Sequence, residues 1–220
     1  TGADTVSVFD ESGQNRTHTF EHVRQQSDKV TGKPNLSLAD YIKPSEQPED
    51  YLGGFTVSIF GAEELANEYK AKGDDYSAIL VQSLADRFAE AFAEHLHERI
   101  RKEFWGYKAD ETLSNEELIK EKYVGIRPAP GYPACPEHSE KAVLFDWLGS
   151  EAKIGTKLTE HFAMMPPSSV SGFYYSHPQS EYFNVGKISQ DQLEDYAKRK
   201  GWTLDEAKRW LAPNLDDSIG

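Results

Sequence analysis

The sequence predicts an α+β fold in which an antiparallel β-meander is surrounded by helices, one of them long and central. Two observations lead to this prediction. Residues 74–105 carry the strongest helical pattern in the chain. The segments 157–164, 169–177 and 181–188 then follow one another as candidate strands, joined by short turns that contain proline and serine. Short turns between consecutive strands favour antiparallel neighbours.

The chain begins with a predicted pair of strands. Val6 and Val8 alternate with polar neighbours, and residues 16–26 can pair with them through a turn at 11–15. After this pair, the pattern predicts a short helix, an acidic connector that contains proline, and a β-branched strand ended by a glycine. These three elements are residues 36–42, 44–50 and 55–60.

The long helix is predicted to be buried on more than one side. Large apolar residues recur every four positions, and several alanines widen the apolar surface. The row of large residues is Tyr76, Leu80, Leu84, Phe88, Phe92, Leu96, Ile100 and Phe104. Asp86, Glu90 and Glu94 form an acidic row on the same helix, and such rows are more often solvated faces than functional sites.

Shorter helices are predicted in the second half of the chain. Residues 115–123 form one, and 137–149 form another that ends at a glycine. Near the C-terminus, Ser189 with Gln192 and Thr203 with Glu206 have the spacing of capping boxes, which predicts two further helices.

Composition limits the classes of function. The chain has 220 residues and a formal net charge of −13, and this balance argues against binding to a nucleic-acid backbone. A single cysteine is consistent with a reducing cytoplasm. The sequence contains neither an apolar run of membrane-spanning length nor a signal peptide, so no membrane association is expected. The first residue is not methionine, which suggests a fragment of a longer polypeptide.

Residues 125–141, here called the proline-rich loop, are the most informative segment. Four prolines exclude both a helix and a central strand, and Gly131 permits close approach of the backbone to another group. Arg127 and Tyr132 add a planar cation and an amphipathic ring. The loop is either a ligand-binding surface or a structural crossover, and its own residues favour neither.

No motif for nucleotide cradling, zinc proteolysis or serine hydrolysis occurs, and Cys135 with His138 is too small a set for a metal site. The remaining polar and aromatic candidates are Glu121 before the loop, Arg127 and Tyr132 within it, and the pair Tyr182 and Phe183. An arginine beside backbone carbonyls and an aromatic face suits a ligand with a carboxylate and a heteroaromatic base. A sulfonium nucleoside fits this pattern, as do many other small ligands.

Four segments resemble the C-terminal activation domain of cobalamin-dependent methionine synthase. They are GIRPAPGYPACPEHSEK, LADRFAEAFAEHLHERIRKEFWGY, HFAMMPPSSVSGFYYSHPQSEYFNVGKI and DYAKRKGW with RWLAPNL. The resemblance extends over nearly the whole chain, 1–220, and implies a large twisted antiparallel sheet with helices around it. It also implies S-adenosylmethionine binding and a role in returning inactive cob(II)alamin to methylcobalamin, within a 5-methyltetrahydrofolate–homocysteine methyltransferase of methionine biosynthesis.

The resemblance assigns roles to individual residues. Arg127 is expected to bind the methionyl carboxylate, and Tyr132 is expected near both ligand and cobalamin. The other expected ligand-binding residues are Pro128, Ala129, Gly131, Ala134, Tyr182 and Phe183. Asp86, Glu90 and Glu121 match acidic positions near the groove, which makes the helical acidic row a possible site wall. No catalytic residue and no metal ligand is expected in this chain.

The resemblance also concerns the rest of the enzyme. Cobalamin and zinc are expected in other domains of the full-length polypeptide, and the partners are its cobalamin-binding domain and a flavodoxin-type reductase. A ligand-binding aspartate is expected in an N-terminal part that this chain lacks, so its pocket is expected to be incomplete and the fragment alone not catalytic. His161 replaces an expected serine. The alternative function, suggested by the acidic charge, is a docking module that binds a protein partner and no nucleoside.

Overall fold

The computed structural model describes residues 4–30, 32–44 and 50–216. These residues form two compact units. Unit 1 comprises 1–53, 124–147 and 173–220, and unit 2 comprises 54–123 and 148–172. Most of the predicted connector, residues 45–49, lies outside the described residues.

Unit 1 begins with the predicted strand pair. Strands β1 (Thr5–Phe9) and β2 (Arg16–Glu21) are antiparallel, with a register shift between Val8 and Phe9. The Asp10 carboxylate stabilises their turn, because it accepts hydrogen bonds from Ser12 and Asn15. These bonds lower the pKa of Asp10 to about 2. The predicted short helix is a 3-10 helix at Leu38–Tyr41.

Three helices complete unit 1. Helix α4 (Glu140–Leu148) follows the proline-rich loop, and α6 (Gln190–Lys200) and α7 (Leu204–Leu211) form the C-terminal part. One apolar cluster is shared by α6, α7 and the segments before them, and its buried members are Val23, Val185, Ile188, Leu193, Tyr196, Ala197, Ala207 and Leu211. Helix α4 begins three residues later than predicted, since the Glu137 carboxylate accepts two bonds from Ser139 in a preceding turn.

Unit 2 contains the long helix. Helices α1 (Ala62–Ala71) and α2 (Asp75–Arg99) pack against each other, and α2 continues as one π-helical segment, Ile100–Phe104. The prediction of a helix over 74–105 is therefore confirmed. Helix α3 (Asn115–Ile119) has a Ser114–Glu117 capping box. It ends earlier than predicted, because Glu121 has a positive φ of 54°.

The α+β class is confirmed, but the predicted three-strand meander is not formed. Strand β3 (Gly53–Ser58) pairs with β6 (Ser169–Tyr174), while β4 (Lys157–Leu158) and β5 (Met164–Met165) pair with each other. Residues 181–188 form no strand in the described structure and make a single isolated bridge, between Ile188 and Leu215. The large sheet is thus replaced by two-stranded pairs, because β6 finds its partner more than a hundred residues earlier in the sequence. Helix α5 (Ser150–Ile154) was not predicted.

The prediction that the long helix is buried on more than one side was wrong, because the described residues of α2 bury the alanine face and leave the row of large apolar residues mostly exposed. The buried residues are four alanines and one histidine, namely Ala78, Ala85, Ala89, Ala93 and His97. The row of large apolar residues is instead exposed over most of its length, as Phe88 illustrates with 61% of its surface accessible. Alanine allows a closer interhelical approach than phenylalanine does, so packing geometry selected the small-residue face.

None of the helices in residues 4–30, 32–44 and 50–216 has the length and apolar character that crossing a membrane requires.

Candidate functional site

The proline-rich loop is held by backbone hydrogen bonds along much of its length. Ile126 and Tyr175 exchange two bonds, of 2.9 and 3.1 Å, and the Phe173 N–H donates to the Pro128 carbonyl oxygen at 2.9 Å. Inside the loop, the Gly131 N–H donates to Cys135 O at 2.7 Å. Proline removes backbone donors from this loop, and several of the N–H groups that remain donate hydrogen bonds to backbone carbonyl oxygens. The result is a stiff, preformed surface.

Tyr182 is brought to the loop from 55 residues further along the chain. Its hydroxyl oxygen accepts a hydrogen bond from the Arg127 backbone N–H at 2.9 Å. A second attachment lies nearby, where the Val185 N–H donates to Pro133 O at 2.9 Å. The two segments that the sequence singled out, 125–134 and 182–183, are thus adjacent in unit 1. Arg127 is half-buried, while Tyr132 and Tyr182 are 57% and 38% exposed.

The surface combines buried small residues with exposed rings. Within the loop, Pro128, Ala129 and Ala134 are buried, and Gly131 is half-buried. Tyr132 and Tyr182 offer accessible aromatic faces, and Phe183 is half-buried. The carbonyl oxygens of Pro128, Ala129 and Pro133 each accept one backbone hydrogen bond, and each has a second lone pair that can accept from another donor. This arrangement suits an apolar, heteroaromatic ligand whose polar groups are read by the main chain.

Tyr41 supports the aromatic pair and was not identified from the sequence. Its hydroxyl accepts a bond from the Glu181 N–H at 3.3 Å and lies 3.4 Å from the Glu181 carbonyl oxygen. Its ring meets Phe183 edge-on at 6.5 Å. Burial is the main cause of its raised pKa. Tyr41 lies in the short 3-10 helix Leu38–Tyr41, whose sequence carries no signal for this contact.

Below the loop lies a buried cluster of ionisable groups. The Lys200 ammonium is 2.5 Å from Glu140 and 3.8 Å from Glu137, and the Tyr196 hydroxyl donates to Glu137 at 3.3 Å. Burial raises the pKa of Glu140 to about 7. Burial, together with the nearby Glu140 carboxylate, also raises the pKa of the Cys135 thiol well above its ordinary value. Because that thiol stays protonated at neutral pH, it is a poor nucleophile and metal ligand.

A second buried contact anchors the strand beside the loop. The Tyr175 hydroxyl is 3.1 Å from Nε2 of His22. Burial, followed by the charges of Arg199 and Lys200, lowers the pKa of His22 to about 3. The imidazole is therefore neutral at physiological pH, and its contact with Tyr175 is a hydrogen bond between uncharged groups.

Gly131 is required by two separate constraints. Its φ is +93°, a region that other L-residues seldom adopt. A Cβ at this position would lie 2.4 Å from Cε1 and 2.6 Å from Nδ1 of His138. The His138 ring is held in place by Lys141, whose Nζ is 3.1 Å from Nδ1. The loop backbone and the His138 ring are thus in direct contact.

We expect Gly131→Ala to lower the free energy of unfolding by more than Gly186→Ala does. Both positions have a positive φ, but a Cβ at Gly186 meets no atom within 4 Å. The backbone cost, about 1–3 kcal/mol, is common to both variants, and only Gly131→Ala adds the clash with His138. Urea titrations measure the difference. Adding His138→Ala to Gly131→Ala should remove the excess, and equal destabilisation by the two single variants would contradict this account.

The three acidic candidates belong to unit 2, whereas the loop residues, Tyr182 and Phe183 belong to unit 1. Asp86 and Glu90 line a pocket of about 350 Å³ together with residues 167–170, and the Ser168 hydroxyl donates to Asp86 at 2.6 Å. Glu121 is exposed and is not among the residues that line this pocket. The pocket thus contains two of the three predicted acidic residues. His161 is exposed between β4 and β5, where its backbone N–H donates to Thr159 Oγ1 at 3.4 Å.

Among the described residues, no group of three or more His, Cys, Asp or Glu side chains is placed to hold a metal ion.

Comparison with known proteins identifies a family and solved structures that resemble this chain. The family model described as vitamin B12 dependent methionine synthase, activation domain, matches residues 1–201. A crystal structure of the MetH reactivation domain bound to AdoHcy is 52% identical in sequence, with a TM-score of 0.94. The alignment covers 98% of this chain and 67% of that one. The resemblance inferred from the four sequence segments is thereby confirmed, and the chain belongs to the activation-domain family of vitamin B12-dependent methionine synthases.

Proposed function

We propose that this chain binds S-adenosylmethionine on the surface formed by Arg127–Ala134, Tyr182 and Phe183. The main support is the related reactivation domain, which has AdoHcy bound and is 52% identical over nearly all of this chain. AdoHcy is S-adenosylhomocysteine, which differs from S-adenosylmethionine by the methyl group on sulfur. The adjacency of the loop and Tyr182 gives the proposal a physical basis, because it joins a cation, carbonyl groups and aromatic rings on one surface.

Each residue has a distinct part in the proposed binding. The Arg127 guanidinium pairs with the ligand carboxylate, and the loop carbonyls accept bonds from the adenine and ribose donors. The rings of Tyr132, Tyr182 and Phe183 cover the apolar faces of the ligand. Asp86, Glu90 and Glu121 belong to unit 2 and are proposed to favour a positively charged group there. When bound, S-adenosylmethionine supplies the methyl group, and none of these residues acts as an acid, base or nucleophile.

The proposed role is the reductive reactivation of the cobalamin held by another domain of the same polypeptide. Cobalamin held by that domain would take one electron from a flavodoxin-type reductase and the methyl group of S-adenosylmethionine, and S-adenosylhomocysteine would be left when the S–CH3 bond breaks. The domain then acts by holding the methyl donor, and the chain alone is not catalytic. Cytoplasmic location is part of the same proposal.

We expect Arg127→Ala to weaken S-adenosylmethionine binding about 10- to 150-fold. The variant loses one charge-assisted pair, which contributes about 1.5–3 kcal/mol. Calorimetry should be performed on this chain and on the full-length enzyme, with S-adenosylhomocysteine as the competitor. Arg16→Ala is the matched control, since Arg16 is an exposed arginine of β2. The control should bind as the unmodified protein does.

In the full-length enzyme, Arg127→Ala should abolish reactivation and leave primary methyl transfer largely intact. Equal loss of both activities would contradict a specific role in reactivation. If neither polypeptide produces heat with S-adenosylmethionine, and S-adenosylhomocysteine does not compete, nucleoside binding is wrong. That result would favour the docking module suggested by the net charge of −13.

A further inference from the structure

Helix α2 has two apolar faces, and the described residues cover one of them. The covered face consists of alanines and His97. The other, here called the second face, consists of Tyr76, Leu80, Leu84, Phe88 and Phe92, which are 78%, 45%, 48%, 61% and 48% exposed. All five lie within one continuous helix and within unit 2. A helix that is apolar on two sides is typical of one packed on two sides.

The spacing of the second face makes it one connected stripe. Residues four apart lie about 40° further around an α-helix, so five such residues wind over about 160°. Each side chain lies beside the next one of the stripe, because positions i and i+4 are neighbours on a helix surface. Single exposed apolar residues need no explanation, but a contiguous stripe of aromatic and aliphatic groups marks a contact surface.

The related reactivation domain has a longer chain than this one, and its additional length supplies a candidate occupant for this surface. It matches 98% of this chain at a TM-score of 0.94, but about a third of its own chain has no counterpart here, since 67% is covered. We propose that the corresponding additional segment of the longer polypeptide packs on the second face of α2. A segment of that size can supply at least one amphipathic element, and an intramolecular partner is present at high effective concentration.

This proposal does not depend on S-adenosylmethionine binding, because the second face includes none of the proposed ligand-binding residues. It also differs from docking of a second copy, in which the same stripe would pair with itself around a two-fold axis. The two occupants predict different results for the 220-residue chain and for the longer polypeptide.

Hydroxyl-radical footprinting of both polypeptides tests the proposal. Oxidation of Tyr76, Phe88 and Phe92, normalised to an added reporter peptide, should be at least fivefold lower in the longer polypeptide. Sedimentation should show that the longer polypeptide is monomeric during the measurement. Equal oxidation in the two polypeptides would overturn the proposal. Protection found only in a dimer would also overturn it and would assign the face to a second copy.

A charged substitution supplies an independent readout. Phe88→Asp should increase hydrogen exchange of the additional segment at least tenfold in the longer polypeptide. The same change should leave the helicity and unfolding midpoint of the 220-residue chain unaltered, since Phe88 is largely solvated there. Ile119→Asp is the matched control, because Ile119 is an 81% exposed isoleucine on α3. Equal effects of the two substitutions on the additional segment would contradict the proposed contact.

Discussion

Glu111→Ala is expected to lower the free energy of unfolding of unit 2 by about 3–5 kcal/mol. Glu111 forms a two-pronged ion pair with Arg101, in which Nε and Nη2 donate to its carboxylate oxygens at 2.7 and 2.6 Å. Both side chains are buried, at 1% and 4% exposure. Removing the carboxylate leaves a guanidinium that cannot release its proton and has lost its counter-charge.

The surroundings of Arg101 explain why water does not replace the lost partner. The guanidinium carbon lies 4.4 Å from the centre of the Tyr123 ring. Within residues 4–30, 32–44 and 50–216, the remaining Nη1 atom has no hydrogen-bond partner. Glu111 is therefore the carboxylate on which this buried cation depends. The π-helical segment Ile100–Phe104 includes Arg101, so its helical distortion and the ion pair occur together.

Urea unfolding, with hydrogen exchange of α2 peptides to resolve unit 2, measures this effect. The matched control is Glu103→Ala, which removes an exposed Arg99–Glu103 pair four residues apart and should cost under about 1 kcal/mol. A double variant, Arg101→Met with Glu111→Leu, should recover most of the lost stability, since no buried charge remains. If Glu111→Ala were as mild as Glu103→Ala, the buried pair would not stabilise unit 2.

Phe20→Ala is expected to lower the free energy of unfolding of unit 1 by about 3–5 kcal/mol, which is the second large effect. Phe20 has no exposed surface and meets the rings of Phe173 and Trp147 edge-on, at 4.8 and 5.5 Å. The backbone N–H of Phe173 holds the proline-rich loop at Pro128. A cavity at Phe20 thus removes packing from the residue that fixes the proposed ligand surface.

Two measurements follow for Phe20→Ala. Urea unfolding gives the stability change, and calorimetry with S-adenosylmethionine shows whether a looser loop also lowers affinity. Phe9→Ala is the control. It is the same substitution in the paired strand β1, but Phe9 is 50% exposed. It should cost under about 1 kcal/mol. Similar losses for the two variants would show that the Phe20 contacts do not anchor unit 1.

Local patterns in the sequence predicted the helices well and the strands less well. The long helix, the first hairpin and the short helix at Leu38–Tyr41 were found, because their signals are contained within a few neighbouring residues. The Ser189–Gln192 capping box was wrong although the helix was right. The Gln192 side-chain amide instead donates to the Arg24 carbonyl oxygen at 2.7 Å. This partner is 168 residues away, and local spacing cannot reveal it.

The proposed site shows the same division. Its residue types, the aromatic pair Tyr182 and Phe183, and the stiffness of the loop were readable from the sequence, and the family resemblance assigned these residues a ligand-binding role. The contacts of Tyr41 with Glu181 and of His138 with Gly131 were not predicted, because folding brings each pair together. No local sequence pattern distinguishes a tyrosine or histidine that makes such a supporting contact from one that does not.

The sequence alone determined the α+β class, the long helix, the rigid loop and the family, because backbone restriction and helical periodicity act over short distances. Tertiary structure decided which strand pairs with β6, which face of α2 is buried, and that Tyr182 reaches the Arg127 backbone. These outcomes depend on competition between surfaces far apart in the chain. On α2 the alanine face is buried and the larger side chains are exposed, because close packing depends on the fit between surfaces as well as on hydrophobicity.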